Sequence, residues 1–274
     1  GRMEEILSIY HIVDEYGGYT SQTERSRKKL WAKERQLIEA VDFSIAVSLE
    51  LVESKGGESG AVHLIENAVD VLQFEQARES ATLPGDLQSV AKPRLGYCGL
   101  IGKRLDFELL KNLAVSQPGS SIVLVGKVDA RDCETSLEEL GKLNNVHFLG
   151  EKQVADVPAY VAGFDLGLLP YELNLETRNI SPLKMYEYLA VGIPVVSTAI
   201  PAARRHQGLV QIANTPAEFV NACDAELLDD NAANRQHRIE FARRNTWDSR
   251  VEQISELIAA GLAARVADQV KVPS

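Results

Sequence analysis

The 274-residue sequence holds only three cysteines, Cys98, Cys133 and Cys223. They lie too far apart for zinc-ligand spacing and are too few for a disulfide framework, so no metal is expected and a reducing cytoplasm fits. No apolar run approaches the ~18 residues that a membrane-crossing helix needs. Positive charge is also scarce: 29 Lys and Arg stand against 39 Asp and Glu, a net charge of -10. That balance excludes a chain that coats nucleic acid, because phosphate contacts need a large basic footprint. The opening Gly1-Arg2-Met3-Glu4 has no basic-then-apolar leader pattern, and no repeat or low-complexity tract follows. What remains is ordinary globular composition, 45% hydrophobic and 25% charged, over a length that predicts one or two domains.

From Leu95 onward, short β-branched runs alternate with segments of helical period. Strands are expected at 94–98, 121–125, 146–149, 164–169, 193–197 and 209–212, with helices at 106–117, 136–143, 154–162 and 182–191. Such alternation predicts βαβ units around a parallel sheet, since each crossover helix must cover a sheet face. The continuous run Ile122-Val123-Leu124-Val125 suits a strand buried on both faces. Thr215-Pro216-Ala217-Glu218 reads as a helix start, with a Thr cap and Pro at the first position. Helices at 231–244 and 247–264 then close the chain. Residues 1–90 have a different character: strands at 6–13, 43–47 and 62–65 and a charged helix at 24–41 make a poor core by themselves. The expectation is the end of a second α/β domain whose beginning is missing, joined through residues 84–93 to a Rossmann-like domain at 91–215. Residues 216–274 would form helices that pack on that domain and cross back toward the N-terminal part.

The segment Asn179-Ile180-Ser181-Pro182-Leu183-Lys184-Met185-Tyr186-Glu187 carries the chemistry. Ser181 is placed to cap a helix and Pro182 to open it, which leaves the amides of the first turn free to face an anion. Lys184 would be repelled by the positive helix end unless something negative sits there, and a diphosphate would resolve the conflict. The competing reading is a lysine that extends into water. The long polar loop 170–180 follows a buried strand at the C-terminal edge of the sheet, where open α/β sheets bind ligands. Glu187, one turn on, could accept hydrogen bonds from ribose hydroxyls.

Residues 181–198 resemble the nucleotide-sugar motif of GT-B-fold retaining glycosyltransferases (glycosyl transferases group 1, family 4-like), in which a helix from Pro-Leu-Lys through Glu-Tyr-Leu-Ala to Gly-x-Pro-Val-Val forms the donor site. Gly96-Tyr97-Cys98-Gly99, residues 122–126, 145–150 and 164–170 are similar to the family's other strands and turns. Residues 242–251 are similar to its closing helix, and 41–48 and 67–70 to the last part of its acceptor domain. The resemblance begins partway through a family member, which implies an N-terminally truncated chain. It implies Lys184 and Glu187 as catalytic residues. It implies donor contacts from Gly99, Lys103, Gly126, Lys127, Gly150, Asn179, Ser181, Pro182 and Leu183. The implied reaction moves a sugar from a nucleoside diphosphate to a glycan or lipid-linked acceptor, with retention, in bacterial surface polysaccharide synthesis. No metal is required, because helix amides and Lys184 can hold the diphosphate. One departure is Asn179, which stands where many relatives carry a Glu eight residues before the helix Glu.

Two further readings stay open: a nucleotide-sugar 2-epimerase on the same fold, and a non-catalytic nucleotide-sugar-binding module. Arg25, Arg27, Lys28 and Lys29 form a basic run that could make peripheral contact with anionic lipid at the inner face of a membrane; the competing reading is a solvated helix face.

Overall fold

The computed structural model describes residues 5–18, 23–56, 62–80 and 82–270. The chain divides into two compact units. One comprises Gly1–Asn67, Arg178–Ser181 and Trp247–Ser274, the other Ala68–Thr177 and Pro182–Thr246.

The first unit is built on three parallel strands, β1 (Ile9–Ile12), β2 (Phe43–Ala46) and β3 (Val62–Leu64), in that order. Its crossovers are α1 (Glu24–Ala40), capped by the Thr23 side chain, and α2 (Leu49–Lys55), capped by Ser48. All of β2 is buried, and the alternation of a strand divides it between two cores. Ala46 joins Ile12, Ile38, Val47, Leu51 and Val62 on one face. Phe43 and Ile45 pack on the other against Ile254, Leu257 and Ile258 of the C-terminal helix Trp247–Val270. An ion pair and two hydrogen bonds to the backbone fasten the same helix. Arg265 pairs with Asp42, and Arg250 donates to the carbonyls of Glu66 (2.9 Å) and Asn67 (3.3 Å). Under α1, Lys55 bridges the buried carboxylates of Glu15 (2.6 Å) and Glu34 (2.7 Å).

The second unit holds six parallel strands: β4 (Arg94–Cys98), β5 (Ser121–Val125), β6 (Val146–Gly150), β7 (Leu166–Leu169), β8 (Val195–Thr198) and β9 (Gln211–Ala213). Their order is β6-β5-β4-β7-β8-β9, so the order in which strands are added reverses between β4 and β7. This is the Rossmann-like α/β arrangement expected from the alternation, a class of sheet that binds ligands outside the carboxyl ends of its strands at the switch point. The helices are α3 (Val71–Glu79), the short α4 (Gly85–Gln88), α5 (Phe107–Ser116), α6 (Glu134–Gly141), α7 (Val157–Ala162), α8 (Leu183–Val191), the short α9 (Pro201–Arg204), α10 (Pro216–Asp229) and α11 (Ala232–Arg244). Helix α8 packs on α3, α7 and α11, while α5 packs on α6 and α10.

Several boundaries differ from expectation. The division falls after Asn67 rather than near residue 90, because α3 packs on α7 and α8 and Leu87 is fully buried. Residues 84–93 thus belong to the second unit, anchored by buried Leu87 and Val90, instead of forming a linker. The segment expected at 154–162 begins as a 3-10 turn, Val154–Asp156, before α7. The C-terminal helix continues to Val270, past the expected 264. The opening Gly1-Arg2-Met3-Glu4 and residues 271–274 lie outside the described residues. Among the described residues no helix is long and apolar enough to cross a membrane.

Candidate functional site

Helix α8 is the element on which the site depends. Pro182, with φ -72° and ψ 115°, occupies the cap position and provides no side-chain hydrogen bond, so the helix starts at Leu183. Expecting Ser181 as cap and Pro182 as first helical residue was therefore off by one: the extended ψ of Pro182 keeps it outside the helix. The Ser181 carbonyl accepts from Asn67 (2.6 Å), and that of Asn179 accepts from Ser48 (2.8 Å). Both residues group with the first unit. Left-handed Gly192, at φ 80°, closes α8, a conformation that costs glycine little.

Three expected donor contacts stand at the C-terminal ends of adjacent strands. The Gly99 amide donates to Val125 (2.8 Å) after β4, and that of Gly126 to Gly150 (2.9 Å) after β5. All three glycines have positive φ, and two of them leave no room for a side chain. A Cβ on Gly126 would lie 2.0 Å from the Gly99 carbonyl oxygen, and one on Gly99 would lie 2.1 Å from Lys184 Cε and 2.5 Å from its Nζ. The lysine of the first turn of α8 therefore lies along the glycine turn of β4, not out in water.

Lys184 is partly buried. Its ammonium lies 5.2 Å from the centre of the Tyr97 ring, a cation-π distance. Burial works against its charge, but the oxygens of Tyr171 and Tyr97 and the Glu187 carboxylate more than offset this, so the ammonium titrates above the ordinary lysine range. Burial raises the Glu187 carboxyl, and Lys184 pulls it back only in part. The Cys98 thiol is pushed up to about 12 by burial and by Glu187, so it is held as a neutral thiol. One turn further into α8, the buried Tyr188 hydroxyl accepts from the Cys98 amide (3.0 Å) and ties the helix to the end of β4. Tyr97, Tyr171 and Tyr188 were not legible as site residues, since aromatics in strands and apolar helices read as core.

The other expected contacts are placed differently. Lys103 and Arg104 both pair with the buried Glu176, at 3.8 and 2.6 Å. Lys127 and Leu183 are exposed. In the first unit, Arg25, Lys28 and Lys29 are exposed on α1, with Lys28 paired to Glu24 at 2.7 Å. Among the described residues, no three His, Cys, Asp or Glu side chains converge as a metal site.

The family model described as "Glycosyl transferases group 1" matches residues 92–230, about half of the chain. TuaH of Bacillus subtilis strain 168, named as a glycosyltransferase of teichuronic acid biosynthesis, is 30% identical over 247 residues. That alignment covers 85% of this chain, and the chain spans 60% of the relative's length. Among solved structures, sucrose-phosphate synthase of Thermosynechococcus elongatus superposes with a TM-score of 0.69 at 18% identity, over 96% of this chain and 70% of that one. Anabaena Alr3699/HepE, in complex with UDP and glucose, gives a TM-score of 0.66 at 20% identity, over 92% and 71%. These two likenesses establish the fold.

Proposed function

Because this chain belongs to the glycosyl transferases group 1 family, we propose that it takes part in transferring a sugar from a nucleoside diphosphate to a hydroxyl of a glycan or lipid-linked acceptor. The setting would be bacterial surface polysaccharide synthesis, a reading supported by the naming of TuaH for teichuronic acid biosynthesis, and a place at the inner face of a membrane is part of the proposal. The observation that carries the reading is Lys184, laid against Gly99 at the uncapped start of α8. In this reading the departing diphosphate rests on the first-turn amides of α8, and Lys184 answers its growing charge, the kind of electrostatic stabilisation that dominates such reactions. No metal is called for. Glu187, one turn deeper, holds ribose hydroxyls, and Gly150 with its neighbours borders the base. Retention of configuration is part of the proposal, and so is a peripheral lipid contact by the basic side of α1.

HepE was solved with UDP and glucose and also with UDP-glucose, which makes uridine the first base to try. A thermal-shift panel of uridine, guanosine, thymidine and adenosine diphosphates tests the reading. One of the four should stabilise the protein, and Lys184→Ala should abolish that shift. A shift of unchanged size in the variant, or none in the parent, would remove the basis of the assignment.

A further inference from the structure

The loop between β7 and α8 is pinned to the turn that follows β4. Pro170 accepts from the Asp106 amide (2.8 Å), Leu105 and Tyr171 form an antiparallel bridge, and the Glu172 amide donates to Arg104 (2.9 Å). The Asn174 side chain then accepts from the amides of Glu176 (2.9 Å) and Thr177 (3.1 Å), which turns the chain inward and buries Glu176. There Arg104 Nε meets its carboxylate at 2.6 Å and Lys103 lies at 3.8 Å. Glu176 is 6% exposed in its side chain, against 35% and 33% for the two cations. A buried carboxylate beside two cations of another segment ties the two segments together, because without those cations its charge would be stranded out of water. The loop enters at buried Tyr171, held beside Leu105, and leads on to the helix that carries Lys184.

We infer that Glu176 is a positioning residue: its clasp on Arg104 and Lys103 fixes the β7–α8 loop and so sets Lys184 against the glycine turn for diphosphate. This rests on the donor-site reading above. It also changes the role of Lys103, which serves the clasp rather than the phosphate.

The test uses the whole chain in three forms, Arg104→Gln, Glu176→Gln and the exchanged pair Arg104→Glu/Glu176→Arg, with two readouts. Arg104 is the more exposed partner, so its variant keeps the test alive if Glu176→Gln fails to fold. Amide hydrogen exchange over residues 171–177, without ligand, should accelerate at least ~10-fold in the single variants while the core strands are unchanged. Affinity for the nucleoside diphosphate that binds the parent should fall about 10-fold, and the exchanged pair should recover part of both losses. Unchanged exchange would overturn the clasp. Faster exchange with unchanged affinity would overturn the positioning role, as would tighter binding by Glu176→Gln, which would show Glu176 masking Lys103. A parent that binds no diphosphate defeats the donor-site reading instead, while the exchange data still report on the clasp.

Discussion

Gly99→Ala probes the glycine turn and the helix at once. The methyl carbon would lie 2.1 Å from Lys184 Cε and 2.5 Å from Nζ, at a backbone φ of 148°. Ordinary carbon contacts lie near 3.5–4.0 Å, so the ammonium must retreat by about 1 Å or more. Because the obstacle is the far end of a flexible side chain, the packing clash can relax, and the cost to stability is chiefly backbone strain, about 1–3 kcal/mol. Function should suffer more. A hydrogen bond between an ammonium and a phosphate contributes about 1.5–3 kcal/mol, so displacing Lys184 should weaken diphosphate binding about 10- to 100-fold. Calorimetric titration of Gly99→Ala, Lys184→Ala and the double variant reads the mechanism. If the methyl acts by evicting the lysine, it has nothing left to evict in the Lys184→Ala background, and double and single variants should bind alike. Two independent, additive losses would refute this: Gly99 would then be needed for direct approach of phosphate to the backbone. Wild-type affinity in Gly99→Ala would sink the whole placement.

Tyr188→Phe should lower stability by about 1–3 kcal/mol in urea unfolding, because it leaves the buried Cys98 amide without its acceptor. Lys55→Met should cost about 3–5 kcal/mol by the same assay, since it strands the carboxylates of Glu15 and Glu34. Asp42 is held at about 2 by the Ser8 amide and by Arg265, below its unfolded value near 4, so its contribution is full above pH ~4 and disappears as pH falls through about 2. Asp42→Asn should accordingly lower the melting temperature at pH 7, with the difference closing toward pH 2. Glu187→Gln removes a negative charge beside Lys184, so inorganic pyrophosphate should bind more tightly and the nucleoside diphosphate more weakly through its lost ribose contact. Parallel changes for the two ligands would count against the ribose role.

Where a local signal is chemically specific, it can be read at the level of single residues. Thr215 caps α10 as its side chain suggests, and β4 spans residues 94–98 as expected. The signal is less specific at Ser181-Pro182, because both a Ser cap and a Pro in the first turn are good helix starts, and only the backbone angle of Pro182 decides between them. Helix α3 was missed for a different reason. Only Val71 and Phe74 of its nine residues are buried, so its apolar stripe is too faint to show a period, and it was assigned to the wrong part of the chain. Tertiary packing on α7 and α8 decides its place.

The candidate site shows the same division between local and distant information. A lysine at the positive end of a helix is an electrostatic anomaly visible in one turn of sequence, and that anomaly singled out Lys184. What offsets it in the fold comes from afar: Tyr97 from β4 and Tyr171 from the loop after β7, joined by Glu187 one turn along its own helix. Glu176 is more remote still from its partner, separated from Arg104 by 72 positions, and one acid in a polar loop carries no mark of burial. Strand order brings these groups together, since β7 pairs with β4 across the point where the strand order switches and so lays its loop beside the glycine turn. Parallel topology thus supplies what spacing along the chain cannot, and the residues that orient Lys184 are those for which topology, not pattern, sets the neighbours.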